Sequence, residues 1–106
     1  MVQGVARPGR SPISLVVTVY YTYILRSLKD GCLYVGSTAD VDRRLHRHNE
    51  GMVCSTRNRR PLELLYRQPH ATRSEAVQRE MYLKSLAGSA EKRRLAEEAL
   101  RQRGNS

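Results

Sequence analysis

The run Val16–Arg26, reading VVTVYYTYILR, limits the folds open to this chain more than any other stretch. It is dominated by β-branched and aromatic side chains, which pack well on a pleated surface and lose rotamer freedom in a helix. Lys29-Asp30-Gly31 then supplies a turn and Cys32–Gly36 a second short strand, so the two segments read as a hairpin. Because side chains alternate along a strand, a loop with an even number of residues puts Tyr21, Tyr23 and Leu25 on one face with Cys32, Tyr34 and Gly36. Gly36 leaves the end of that face open to a close approach.

The same run settles how the N-terminal segment is read. Arg7 and Arg10 ahead of apolar residues superficially look like a secretory signal. However, Leu15–Leu25 contains threonines and tyrosines, lacks a small-residue cleavage site and falls well short of the ~20 residues a spanning helix needs. Residues 1–14, with Gly4, Pro8, Gly9, Ser11 and Pro12, have the composition of a flexible tail. The expected organisation is a tail over 1–17, partly strand at its end, and a single domain over 18–103.

Further along, Asp40 is placed to cap a helix from Val41 to about Glu50, with Val41, Leu45 and His48 on one stripe and Gly51 as the stop. Met52–Arg60 is a basic loop closed by Pro61, and Leu62–Arg67 reads as a third strand, with His70 in the loop after Pro69. A helix from Thr72 or Ser74 to about Ala87 breaks at Gly88-Ser89, ahead of a last helix from Ala90 to about Gln102. Opposite charges at helical spacing mark that last helix as a solvated packing element. The order β-β-α-β-α-α predicts an α+β fold, a small three-stranded antiparallel-rich sheet flanked by three helices.

Charge bounds the partner. Lys and Arg number 19 against 10 Asp and Glu, a formal net charge of +9 on 106 residues, so a polyanion is expected. The basic residues sit among turn residues rather than along an amphipathic helix, which favours nucleic acid over a membrane surface. Cys32 and Cys54 lie far apart without a CxxC companion; that pattern argues against zinc and a disulfide scaffold and suits a reducing cytoplasm.

Arg44 and His48, four apart on one helix face, point back toward the strand ends, so two phenols, an arginine and a histidine are expected to converge near Gly36. Glu80 falls between Ala76 and Leu83, on or beside a buried face, where a carboxylate needs Arg44, Lys84 or a divalent cation for company. Spacing alone leaves both options open and leans to a salt-bridged structural glutamate. Tyr23 and Tyr34 are equally compatible with ordinary half-buried sheet positions. Arg43, Arg44, Arg47, Arg57, Arg59 and Arg60 fit a solvated surface, although arginine rather than lysine favours phosphate contact. His46 faces away from the Arg44-His48 stripe.

Taken in order, Tyr21-Thr22-Tyr23, Tyr34-Val35-Gly36, Asp40–Leu45 with His48, and Arg79-Glu80 resemble the GIY-YIG nuclease superfamily. The likeness is greatest to its small stand-alone bacterial YhbQ-like branch, whose HNxG and TRxRRP elements match His48–Gly51 and Thr56–Pro61. It extends over about Thr18–Leu95. The resemblance implies hydrolysis of DNA phosphodiesters with Mg2+ or Mn2+. Tyr23 and Tyr34 would then place or activate the attacking water, Arg44 contact the scissile phosphate, His48 handle a proton or orient the phosphate, and Glu80 bind the metal. Nucleic-acid contacts are expected from Arg43, Arg47, Asn49, Arg57, Arg59, Arg60 and Lys84, with branched or otherwise irregular DNA as substrate, no membrane or zinc partner, and the oligomeric state open.

The chain departs from the family pattern in carrying Tyr21-Thr22 for Gly-Ile, Ser55 where a tyrosine is usual, and no clear match to a late asparagine. The alternative is a nucleic-acid-binding module on the same fold with weak or lost catalysis. Retention of Tyr23, Tyr34, Arg44, His48 and Glu80 favours the enzyme.

Overall fold

The computed structural model of the protein describes residues 17–104, so the expectations for residues 1–16 lie outside it. Its elements are β1 (Tyr20–Ser27), β2 (Leu33–Thr38), α1 (Val41–Asn49), a short 3-10 turn (Arg57–Arg59), β3 (Leu62–His70), α2 (Arg73–Lys84) and α3 (Ser89–Gly104). The order is the expected β-β-α-β-α-α. The strands form one antiparallel sheet in the order β2-β1-β3, so the strand richest in β-formers is the central one and both its neighbours are edges.

Tyr23 pairs with Gly36 and Leu25 with Tyr34, the register an even loop requires, while Thr22 and Ser37 share the opposite face. On one face Tyr23, Leu25 and Leu62 form a buried cluster with Leu45 of α1, Tyr34 and Leu64 packed against it. On the other, the buried Thr22 hydroxyl donates to the Ala76 carbonyl of α2 at 2.9 Å. The helices therefore lie on opposite faces of the sheet, and α3 packs beside α2 and β3, tied to the latter by an Arg103–Glu63 ion pair.

The second strand runs on to Thr38 rather than ending at Gly36, the last helix spans Ser89–Gly104 rather than Ala90 to about Gln102, and three further boundaries differ for a tertiary reason. β1 begins at Tyr20 rather than Val16, since its pairing with β3 starts at Tyr20 opposite His70 and Val17 stands exposed. β3 continues to His70 instead of ending at Arg67; Pro69 is tolerated because β3 is an edge strand whose missing N–H can face outward. His70 is thus a strand residue, its Nε2 3.0 Å from Thr22 Oγ1, and not a loop residue. α2 stops at Lys84 rather than Ala87, because Ser85 turns extended and Gly88 packs so tightly on the Tyr82 carbonyl that a Cβ there would overlap it.

The basic loop is anchored at both ends. Ser27 accepts hydrogen bonds from the Lys29 and Asp30 N–H groups and donates to the Arg59 carbonyl at 2.7 Å, while Arg59 pairs with Asp30 at 2.6 Å. At the other end Asn49 donates to the Leu62 carbonyl (3.0 Å) and accepts from its N–H (2.7 Å), clamping α1 onto β3.

Candidate active site

α1 is positioned by its caps. The Asp40 carboxylate accepts from the Arg43 N–H at 3.0 Å, closing the first turn, and Gly51, at φ +80, reverses the chain after Glu50. That reversal carries Thr56 back under α1, where it is fully buried. Three side chains then meet in line. The Tyr23 hydroxyl lies 3.2 Å from His48 Nε2, and His48 Nδ1 lies 2.7 Å from Thr56 Oγ1. With the proton on Nδ1, the phenol donates to Nε2 and Nδ1–H donates to Thr56 Oγ1, so both ring nitrogens are satisfied.

Gly36 makes this line possible. It sits directly opposite Tyr23, and a Cβ there would overlap the phenol oxygen. Tyr23 is only 3% exposed, and burial pushes its pKa up, against an opposing pull from the Arg44 guanidinium. Burial first, and then the Arg44 charge, push His48 down. Both groups are consequently neutral at pH 7, which leaves Nε2 free to accept a proton.

Glu80 reaches the same place from the other face. Its Oε1 accepts from the Ser37 hydroxyl at 2.7 Å and its Oε2 pairs with Lys84 at 2.7 Å. Ser37 follows Gly36 and points to the α2 face, so Glu80 and the Tyr23-His48 pair flank the open edge strand β2 from either side. They are close enough for the Glu80 charge to bear on Tyr23. A cavity of about 280 Å³ wraps this edge, lined by Tyr23, Tyr34, His48 and Thr56 on one side and by Lys84 and Lys92 on the other. Arg44 also faces a groove of about 450 Å³ shared with Arg43 and Arg47.

Tyr23, Tyr34, Arg44, His48, Glu80 and Gly36 are therefore gathered at one sheet edge, with Arg43, Arg47 and Lys84 beside them. The other expected nucleic-acid contacts stand apart. Asn49 has both ends of its amide committed to Leu62 and Arg59 is paired to Asp30. Exposed Arg57 and Arg60 donate within their own loop, to the Gly51 and Arg57 carbonyls. Exposed His46 pairs with Glu50 at 2.9 Å. Thr56, Ser37 and Lys92 are additions. Thr56 opens the TRxRRP element and Ser37 adjoins Gly36, but only the folded chain shows what each touches.

Among the described residues no three His, Cys, Asp or Glu side chains cluster as metal ligands. Glu80 is a single carboxylate, oriented by Ser37, whose second oxygen faces a half-exposed and displaceable Lys84. One carboxylate completed by waters and substrate phosphate is a donor set suited to Mg2+.

Residues 19–94, most of the chain, match the model of the GIY-YIG catalytic domain. The chain belongs to the GIY-YIG family. Its relatives include a UPF0213 protein of Staphylococcus saprophyticus, 39% identical over 69 residues, which are 64% of this chain and 83% of that protein. A UPF0213 protein of Bacillus licheniformis is 39% identical over 79 residues, 74% of this chain and 80% of that one. The solution NMR structure of a UPF0213 protein from Bacillus halodurans is similar at 33% identity, covering 76% of this chain and 86% of that one, with a TM-score of 0.46. Membership in the GIY-YIG family supports a nuclease-type function. No helix among the described residues of this GIY-YIG domain is long and apolar enough to cross a membrane.

Proposed function

We propose that this GIY-YIG domain is a divalent-metal-dependent DNA endonuclease selective for branched or otherwise irregular DNA. The observation that carries the reading is the meeting, around Gly36, of a neutral Tyr23-His48 pair with Arg44 on one face and Glu80 on the other. Tyr23 holds the attacking water by its hydroxyl. As the water oxygen bonds to phosphorus and the bond from phosphorus to the leaving ester oxygen breaks, the water's proton passes to the Tyr23 oxygen and the phenolic proton moves to His48 Nε2, while the leaving oxygen takes its proton from solvent. Thr56 holds the ring in place throughout. Arg44 faces the non-bridging oxygens as their charge grows. Mg2+ or Mn2+ held by Glu80 would supply further stabilisation of the phosphoryl and leaving oxygens. Burial, the larger cause of the lowered His48 pKa, persists in the complex, while a phosphate anion on Arg44 offsets the smaller Arg44 contribution.

One observation favours a second reading, a nucleic-acid-binding module without catalysis: both Glu80 oxygens already have protein partners. Nicking of flapped, branched and plain duplex DNA, with and without Mg2+, separates the two. The endonuclease reading expects metal-dependent cleavage that prefers the irregular substrates and is abolished by Glu80→Gln, with DNA binding and melting temperature retained. Cleavage that survives Glu80→Gln unchanged overturns the metal-ligand role. A wild type that binds DNA and never cuts it, with a Glu80→Gln variant that melts early, supports the binding module.

A further inference from the structure

Arg44, with Thr38 and Ala39, also lines a second, smaller cavity that adjoins the groove of Arg43 and Arg47. It measures about 120 Å³ and is lined by Arg44, Arg73, Tyr20, Ser37, Thr38 and Ala76 among others. Two guanidiniums and a phenol belong to its lining, the Ser37 and Thr38 hydroxyls being committed to the Glu80 carboxylate and the Asp40 backbone, and no carboxylate is among the lining residues. Arg73 makes no ion pair among the described residues. It is also the first residue of α2, at the helix end where a cation is least favoured by the backbone dipole, so its charge there adds to a positive potential instead of relieving one. An anion is the complement such a cavity lacks. Its volume leaves room for a phosphate group.

We propose that this cavity is a second phosphate subsite, in which Arg73 holds the phosphodiester next to the scissile one on the same strand. The proposal rests on the endonuclease reading only in calling the neighbouring phosphate scissile. The cavity adjoins the groove of Arg43 and Arg47, sharing Thr38, Ala39 and Arg44 with it, so a strand lying across both sets Arg44 between successive phosphates. Selectivity follows from this arrangement. Filling both at once asks the backbone to follow the protein surface around Arg44, which an unpaired or branched segment does more readily than regular duplex.

The test uses the full chain and oligonucleotides in which single phosphates are replaced, one at a time, by neutral methylphosphonates. Wild-type affinity is expected to fall about tenfold for one position beside the cleaved bond. Arg73→Gln is expected to lose a similar factor with the unmodified strand, to lower the salt-dependence slope by about one, and to lose nothing further at that position. Arg101→Gln, on the far part of α3, is the charge control, and thermal melting checks that Arg73→Gln folds. Independent, additive effects of Arg73→Gln and every methylphosphonate overturn the subsite. Coupling confined to strands carrying a terminal phosphate overturns the diester assignment in favour of strand-end recognition. Because affinity is read separately from cleavage, coupling without any nicking upholds the subsite while defeating the nuclease reading.

Discussion

Replacing Gly36 with alanine tests the construction of the site most directly, because the methyl would occupy the space of the Tyr23 hydroxyl and its ring carbon. Relief comes by one of two routes. Tyr23 can leave its buried position, exposing on the order of 150–200 Å² at about 25 cal/mol per Å², a cost of roughly 4–5 kcal/mol. Alternatively β2 can move outward, at the roughly 1–3 kcal/mol typical of overpacking. β1 is central and held on both sides whereas β2 is an edge, so the second route is cheaper. For a domain of this size a loss of that order lowers the melting temperature by roughly 5–20 °C. An outward shift of β2 also carries Ser37, and with it Glu80, away from Tyr23, so nicking is expected to fall about 100-fold, as for a displacement of ~1 Å. Circular-dichroism melts and single-turnover nicking measure both effects. Tyr23→Phe removes the nearest clashing atom, so adding it to Gly36→Ala should restore part of the lost melting temperature. A Gly36→Ala protein that melts within about 2 °C of wild type, or whose deficit is left unchanged by adding Tyr23→Phe, would refute the argument.

Thr56→Val keeps the shape but leaves the buried His48 Nδ1–H without its acceptor, so unfolding in urea should show a loss of about 1–3 kcal/mol that Thr56→Ser largely avoids. His48 is held below its ordinary pKa, so its contribution to stability is complete above pH ~6.5 and is lost as pH falls through the lower folded value. Melting temperature should therefore fall with acidification in that window, and His48→Gln should flatten the slope relative to wild type. Arg44→Ala is expected to cost about 10²- to 10³-fold in turnover, the usual loss of one preorganised charge stabiliser, measured at saturating DNA. If the basic surface meets ~4–6 phosphates, log affinity for DNA against log salt should have a slope of about −4 to −5, read by fluorescence anisotropy.

Local chemistry in the sequence was enough to place the hairpin, the Asp40 cap and the face shared by Tyr23, Tyr34 and Gly36, and to narrow the next helix start to Thr72 or Ser74, of which Thr72 is the cap. Strand alternation, Asp40 and Thr72 capping, and the positive φ of Gly51 are determined within a few residues and hold wherever the chain folds. Spacing alone did not single out the candidate site residues: it left Tyr23, Tyr34 and Glu80 open to structural roles, and the resemblance of the ordered motifs to the GIY-YIG pattern named them. What those residues touch was not legible. Asn49 is adjacent to His48 in sequence, but only the fold shows its amide clamped to the backbone of Leu62, thirteen positions on. His70 followed a proline and read as loop until β1 offered it Thr22. Glu80 balanced between structural partner and metal ligand because helix spacing tells which face it is on and nothing of what faces it. The packing of α2 brought it to Ser37 and Lys84, and the order β2-β1-β3 made β2 an edge, around which groups from opposite faces of the sheet can meet. Periodicity fixes directions relative to a residue's own backbone, and only the pairing of distant segments sets the distances that chemistry needs.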